Sequence, residues 1–309
     1  MFQYAFCRLL QEKFGQEICF DISMGTEFAS TNGDGQKESV LSEFSIDTKK
    51  IQFIENKNEF DKAAGEKIKV ADFLCYMPRG IRKIFKRNDI YRKLVSGIQN
   101  RFNKYGFYTA YDCYYKPYFN LNCQNLYING LFTSRKYFDE IHDLLVKEFC
   151  PSHEQDKRNM AFAESISQSV SVCMHVRKGK SYLSNSYLNI CTGSYYEEAM
   201  NIIEERVKCP KFYIFSNDFE WCKANINFEE HSCVLVDAND SQHAVDELML
   251  MSKCKHFILS NSTMGWWAQY LSDSKEKIVV SPDVWTQGKI ELLSDLIEEK
   301  WIKVKVCNG

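Results

Sequence analysis

A regular alternation of short apolar segments with helical patterns, in the second half of the chain, most constrains the fold. The apolar segments predict strands at Ser169–Val176, Lys211–Phe215, Cys233–Val236, His256–Leu259 and Lys277–Val280. Between them, helical spacing predicts helices at Tyr195–Val207, Asp218–Ala224, Ser241–Ser252 and Thr263–Leu271. Short, mainly apolar strands that alternate with helices are typical of a parallel sheet covered by crossover helices. The pattern therefore predicts an α/β, Rossmann-like domain.

The first half of the chain is less regular. It predicts an amphipathic helix at Phe2–Phe14, strands at Ile18–Ile22 and Asn125–Gly130, and a long helix at Ser134–Phe149. The polar segment Cys150–Arg158 is the predicted boundary, which divides the 309 residues into domains 1–150 and 151–309. An α/β domain normally begins with a strand. Because this chain opens within a helix, the N-terminal domain is predicted to lack its usual first strand.

Composition excludes several functional classes. With 39 basic and 41 acidic residues, the net charge of −2 argues against nucleic acid as a partner. No apolar run is long enough to span a bilayer, and the first residues lack the pattern of a signal peptide. The thirteen cysteines form no C-x-x-C pair and are expected to be reduced thiols. The expected location is the cytoplasm.

One segment departs from this charge balance. Residues 79–104 hold nine Lys or Arg side chains against the single acid Asp89, interleaved with apolar residues. Such a basic amphipathic stretch predicts a helical insert. It would be either a solvated hairpin or a peripheral contact with the anionic inner face of the membrane.

Polar clusters follow three predicted strands, where a doubly wound sheet binds its ligands. His175 and Arg177 share one face of a strand end, and an arginine fork matches two phosphate oxygens. Residues 260–263 (Ser-Asn-Ser-Thr) open a helix and offer hydroxyl and N–H groups to an anion, or serve simply as a cap. The Ser-Asn-Asp segment 216–218 follows a third strand. The convergence predicts a nucleoside diphosphate site.

Two further points complete the prediction of the site: a carboxylate on a helix, and the spacing of possible metal ligands. Asp246 lies among apolar residues of a helix and could accept two N–H donors from guanine, or be an exposed helical acid. No strand ends in D-x-D, and the six histidines have no ligand spacing. We therefore predict no metal site and no cofactor.

Five segments together resemble the bacterial α-1,2-fucosyltransferases, which use GDP-fucose. They are MFQYAFCRLLQEKFG at the start, NLYINGLFTSRKYFDEI at 125–141, HVRKGKSY at 175–182, FYIFSNDFEWCK at 212–223 and DELMLMSKCKHFILSNSTMGWWAQYL at 246–271. The last segment, with its N-S-x-x-x-W-W ending, is the most specific. The resemblance extends along nearly the whole chain.

The resemblance implies a GT-B arrangement of two facing Rossmann-like domains. Domain 1–150 would bind the acceptor and domain 151–309 the donor, and the last helix would return to the N-terminal domain. It implies inverting, metal-independent transfer of L-fucose from GDP-β-L-fucose to the 2-hydroxyl of a terminal galactose. His175 and Asp246 would contact guanine, and Arg177 would stabilise the leaving β-phosphate. Donor contacts are also implied at Asp218, Asn261, Ser262 and Thr263. The candidates for a general base are Asp21 and Asp218, at predicted strand ends.

The chain also departs from that family. The Gly-rich turn that precedes M-F-Q-Y-A-F in the family is absent, and Lys180-Ser181 stand where an aspartate follows Gly179. Met264-Gly265 replace Phe-Ser, and Thr133 replaces Gln. Two alternatives therefore stay open: a GDP-sugar-binding homologue that is catalytically silent or truncated, and a fucosyltransferase of another linkage.

Overall fold

The computed structural model of the chain describes residues 1–15, 17–21, 40–46, 51–54, 107–110, 115, 126–239, 243–287 and 295–306. Two compact units divide near residue 142. The first takes the described residues up to His142, apart from 40–46, together with Asp295. The second takes Val40–Ile46 and the remainder. The basic stretch 79–104 lies outside the described residues.

The first unit is built around helix α1 (Phe2–Phe14), whose bounds match the prediction. Strands β1 (Ile18–Asp21) and β2 (Ile51–Ile54) pair in parallel, as do β3 (Phe107–Ala110) and β4 (Tyr127–Gly130). Phe6 is fully buried and contacts the Phe132 ring at 4.7 Å and the Tyr137 ring at 5.0 Å. An apolar helical stripe thus meets an aromatic cluster, the expected way for an amphipathic helix to pack.

The long helix predicted at Ser134–Phe149 is wrong. The segment forms two 3₁₀ turns, Arg135–Tyr137 and Asp139–Ile141, and only then α2 (His142–Glu148). Between the turns, Phe138 has a φ of −148°, which is incompatible with a continuous helix. Its ring is fully buried and lies 6.0 Å from that of Phe2. Tertiary burial of this side chain therefore overrides the helical pattern.

The second unit contains a parallel sheet of six strands, so its α/β class is confirmed. The strands are β5 (Ser171–Val176), β6 (Lys211–Ser216), β7 (Cys233–Leu235), β8 (His256–Ile258), β9 (Val279–Pro282) and β10 (Ile302–Val304). Their spatial order is β10-β9-β8-β5-β6-β7, the order of the doubly wound dinucleotide-binding fold. Five of the six strands overlap the predictions. The sequence pattern missed β10, a short strand at the edge of the sheet.

Helices connect these strands. They are α3 (Lys157–Ser167), α4 (Lys180–Leu183), α5 (Gly193–Glu204), α6 (Phe219–Asn225), α7 (Ala244–Ser252) and α8 (Thr263–Leu271). Every residue of β5 is buried, as its apolar run predicts. Met174 belongs to the core cluster that includes α5, whereas Cys173, on the opposite face, is close to Cys254 and Glu247. None of the described helices is long and apolar enough to cross a bilayer.

Candidate functional site

The candidate site lies where the strand order of the second unit reverses. β5 pairs with β6 on one side and with β8 on the other. Connections that leave in opposite directions open a crevice at the carboxyl ends of the strands, where doubly wound folds bind ligands. The predicted residues His175, Arg177 and Ser260–Thr263 stand at these ends. The third cluster, Ser216–Asp218, stands at the end of β6, and its Asn217 exchanges hydrogen bonds with Lys178. The sheet therefore brings together all three clusters that the sequence placed at separate strand ends.

His175 is held as a neutral imidazole. Its side chain is buried, and its Nδ1 lies 3.0 Å from the Ser260 hydroxyl oxygen. Burial, together with the Arg177 charge, lowers the pKa of His175 to about 3. Gly265, on the first turn of α8, lies so close that an added Cβ would stand 2.9 Å from Nδ1. The imidazole can therefore offer ligands hydrogen bonds but no positive charge at neutral pH.

Arg177 follows directly after β5 and is half-buried. Its guanidinium carbon lies 5.7 Å from the centre of the Tyr182 ring, and Tyr182 donates a hydrogen bond of 3.4 Å to the Asn261 carbonyl oxygen. Within the described part of the chain, no carboxylate forms a direct ion pair with Arg177, but its charge interacts electrostatically with Glu247 on α7. The structural alternative for this residue, a strand-end arginine that faces an acid, therefore stays open.

The segment between β8 and α8 is fixed by internal hydrogen bonds. The buried Tyr195 hydroxyl donates to the Leu259 carbonyl oxygen at 2.5 Å. The Asn261 amide nitrogen donates to the carbonyl oxygens of Leu188 and Trp285, each at 3.0 Å. The donors of this side chain are therefore already used within the protein. Asn261 shapes the crevice.

Helix α8 begins without a side-chain cap. Ser262 occupies the N-cap position in an extended conformation, but its hydroxyl makes no capping hydrogen bond, and Thr263 next to it is exposed. The first N–H groups of a helix have no acceptor within the helix and carry the positive end of its dipole. Neither Asn261 nor Ser262 therefore caps the helix with its side chain, as the alternative interpretation of this segment required. This helix start can accept an anion.

The two candidates for a general base have different surroundings. The Asp218 carboxylate accepts a hydrogen bond of 3.0 Å from the backbone N–H of Trp221 and so caps α6. Asp21 is the last residue of β1 in the first unit. Asp218 therefore has a structural function of its own, separate from any role in catalysis.

Two adjacent carboxylates on α7 point in different directions. Asp246 is buried and accepts hydrogen bonds from the His153 ring, at 2.9 Å, and from the Gln155 amide. It is not the exposed helical acid of the alternative interpretation. Glu247, one position on, interacts electrostatically with Arg177, and burial raises its pKa to about 7. The sequence analysis missed Glu247, because the rotation of a helix about its axis cannot be determined from two neighbouring acids.

Among the described residues, no three His, Cys, Asp or Glu side chains are grouped as metal ligands would be. The site consists of the Arg177 guanidinium, a neutral imidazole, a helix start and the half-buried Glu247 carboxylate, which interacts with Arg177. Such a set can hold a phosphate group and, beside it, a ring with hydrogen-bond donors.

The second unit is thus an α/β domain with the doubly wound strand order, and sequence comparison assigns the family of the chain. The profile of glycosyl transferase family 11 matches residues 2–305, and the chain belongs to this family. Alpha-1,2-colitosyltransferase of Escherichia coli is 29% identical over 57% of this chain and 61% of its own length, less than two thirds of that protein. O-antigen biosynthesis glycosyltransferase WbnK of Escherichia coli is 26% identical over 98% of this chain and 96% of its own.

A third relative matches a shorter part of the chain. Galactoside alpha-(1,2)-fucosyltransferase 1 of Sus scrofa is 28% identical over 33% of this chain and 28% of its own length. No solved structure matches the chain. The resemblance to α-1,2-fucosyltransferases that the sequence motifs indicated is thereby confirmed at the level of the family.

Proposed function

We propose that the chain transfers L-fucose from GDP-β-L-fucose to the 2-hydroxyl of a terminal galactose, with inversion and without a metal ion. The observation that carries the proposal is the position of Arg177 over the Tyr182 ring, at the reversal of the strand order. The Tyr182 hydroxyl in turn donates to Asn261, just before the uncapped start of α8. Family membership and the α-1,2 linkage in two relatives' names support the reaction.

Arg177 and the start of α8 would supply the main catalytic effect. The acceptor hydroxyl attacks the anomeric carbon from one face while GDP departs from the other, so negative charge develops on the β-phosphate. A guanidinium can donate two parallel hydrogen bonds to phosphate oxygens. Ser262, Thr263 and the N–H groups at the helix start would contact the remaining oxygens. Cationic and N–H donors can thus stabilise the leaving group without a divalent ion.

Guanine would be recognised by neutral His175 and by a carboxylate of α7. A carboxylate matches the N1–H and N2–H donors of guanine, which adenine and uracil do not present in this arrangement. Asp246 is the group that the motif resemblance implies. Glu247 is the alternative, since Asp246 already binds His153 and Gln155 whereas Glu247 interacts with Arg177. The variants Asp246→Asn and Glu247→Gln, titrated with GDP and with ADP, would identify which carboxylate discriminates between the two bases.

The remaining assignments follow the family resemblance. We propose a GT-B arrangement in which domain 1–150 faces the galactose-terminated glycan and 151–309 binds the donor. Asp21 and Asp218 stay the candidates for the general base, which in other enzymes contributes about 10²–10⁴ in rate.

A second candidate function is transfer of colitose in place of fucose, which the colitosyltransferase relative favours. A third is binding of a GDP-sugar without transfer, as the departure at Lys180 suggests.

The experiment measures GDP release from GDP-fucose, with EDTA present, using lactose and N-acetyllactosamine as acceptors. We expect release that depends on the acceptor and a product that an α-1,2-fucosidase cleaves. GDP-colitose in parallel tests the second candidate. GDP binding without release on any acceptor would favour the silent homologue, and a product resistant to the α-1,2-fucosidase would indicate another linkage.

A further inference from the structure

We propose that Asn217 is a positioning residue for Arg177: its side chain pairs with both backbone groups of Lys178 and so fixes the end of β5. This inference rests on the proposed function, in which Arg177 binds the donor phosphate. Within the Ser-Asn-Asp segment, the site residue is then Asn217, whereas Asp218 caps α6.

The Asn217 amide extends the parallel ladder beyond the last paired residues. In the sheet, β5 pairs with β6 as far as Val176 and Ser216. Two residues further on, the Lys178 backbone N–H donates to the Asn217 Oδ1 at 2.8 Å, and the Asn217 Nδ2 donates to the Lys178 carbonyl oxygen at 2.7 Å. One side-chain amide thus supplies the donor and the acceptor that a neighbouring strand would supply.

Gly179 makes this pairing possible. It has a φ of +88° and a ψ of 169°, a region that is essentially confined to glycine. A Cβ built at this position would lie 2.6 Å from the Asn217 Nδ2. Any larger residue would therefore strain the backbone and displace the amide.

The Lys178 side chain anchors the same residue from its other end. Its ammonium group is buried, donates to the Asn189 Oδ1 at 2.7 Å and to the Cys191 carbonyl oxygen at 2.6 Å, and lies 4.1 Å from the centre of the Trp221 ring. A buried cation with this many partners cannot move without breaking them. Backbone and side chain of Lys178 are both fixed.

Asn217, Lys178 and Gly179 together form a brace at the end of β5. Arg177 lies between two anchored residues, Val176 in the sheet and Lys178 in the brace. Its Cα position is thereby determined from both sides, while its guanidinium remains half-exposed in the crevice beside Tyr182. A group that is held in its binding geometry before the ligand arrives loses less freedom on binding and in the transition state. We therefore assign the brace of Asn217, Lys178 and Gly179 to the preorganisation of Arg177.

The test is a double-mutant cycle on the dissociation constant of GDP, measured by calorimetry for the full chain with Asn217→Ala, Arg177→Ala and the double variant. Alone, Asn217→Ala should weaken GDP binding about tenfold, the order expected for loss of a charged group's alignment. In the Arg177→Ala background the same change should cost less than about twofold, because coupled residues are not additive. Asn227→Ala, which removes an exposed side chain that accepts only from the Glu229 N–H, is the matched control and should leave GDP binding unchanged.

Asn217→Gln provides a second variant if alanine impairs folding. It keeps an uncharged amide donor and acceptor but moves them by one methylene, so its GDP affinity should fall between those of the unmodified chain and Asn217→Ala. Equal losses in both backgrounds, or an unchanged affinity in Asn217→Ala, would overturn the positioning role. Failure of the unmodified chain to bind GDP would instead contradict the proposed function, and with it this inference.

Discussion

His175 shows how single residues set the chemistry of the crevice. Its imidazole is buried, is bonded to the Ser260 hydroxyl and has a pKa of about 3. A histidine usually changes charge near neutral pH, but this one does not. We therefore expect no contribution from His175 to any pH dependence of donor binding between pH 5 and 9. Its function is a directed hydrogen bond.

Gly265 leaves the space that His175 needs. Because an added Cβ would stand 2.9 Å from Nδ1, the branched side chain of Gly265→Val should push the imidazole out of position. We expect GDP affinity to fall by between about tenfold and a hundredfold, because a small displacement of a binding group has an effect of this size. Calorimetric titration with GDP checks this, with the exposed Met160→Ala as a control that should bind GDP normally. An unchanged affinity in Gly265→Val would show that His175 is not held by this contact.

The raised pKa of Glu247 predicts that the free energy of unfolding depends on pH. The pKa of this carboxyl rises from 4.5 to about 7 on folding, so the folded chain binds the proton more tightly than the unfolded chain. The free energy of unfolding should therefore decrease as the pH rises from about 4.5 to about 7, and this contribution should then be constant. Glu247→Gln removes it. Melting temperatures of both chains should coincide at pH 4.5, and the variant should be the more stable at pH 8. The same difference at both pH values would contradict the raised pKa.

At the level of elements, the central strands of the sheet could be predicted from the sequence, whereas the short strands and one helix could not. The central strands of the second unit are buried on both faces, so their apolar runs appear directly in the sequence. The short strands β2, β3 and β10 leave no such signal. The helix expected at Ser134–Phe149 is interrupted at Phe138, because burial of one ring depends on residues distant in the chain. For the same reason, periodicity could not tell which of Asp246 and Glu247 faces Arg177.

Helix α6 separates the two functions considered for Asp218. If the carboxylate only caps the helix, Asp218→Ala should cost about 1 kcal/mol of stability, whereas Asp218→Asn, an equally good N-cap, should cost almost nothing. Denaturant unfolding checks both values. GDP release by Asp218→Asn then tests catalysis: a fall of a hundredfold or more in a chain of normal stability would identify Asp218 as the base.

Helix α8 provides the rigid support of the crevice. Trp266 is fully buried and stacks on Tyr270 with ring centres 5.2 Å apart, and Trp267 packs edge-on against Phe149 at 5.3 Å. Both tryptophans therefore belong to the core. Trp266→Ala should destabilise the chain by about 3–5 kcal/mol. Met160→Ala, on an exposed surface, should leave the unfolding midpoint unchanged.

For the whole molecule, the distribution of charge along the sequence suggests a contact with anionic lipid. The net charge of −2 is small, yet residues 79–104 concentrate nine basic side chains. We propose a peripheral contact of this stretch with anionic lipid. Vesicles that contain phosphatidylglycerol should sediment the chain, less so at high salt, and neutral vesicles should not. No sedimentation with either kind of vesicle would contradict this contact.

The central claim is a metal-independent donor site built on Arg177, and one rate comparison tests it most directly. GDP release from GDP-fucose, with acceptor and EDTA present, is measured for the unmodified chain and for Arg177→Ala and Arg177→Lys at equal thermal stability. The account predicts release in EDTA by the unmodified chain, a loss of at least about a hundredfold in Arg177→Ala and a smaller loss in Arg177→Lys. Release that requires a divalent ion, or a mild effect of Arg177→Ala, would contradict it.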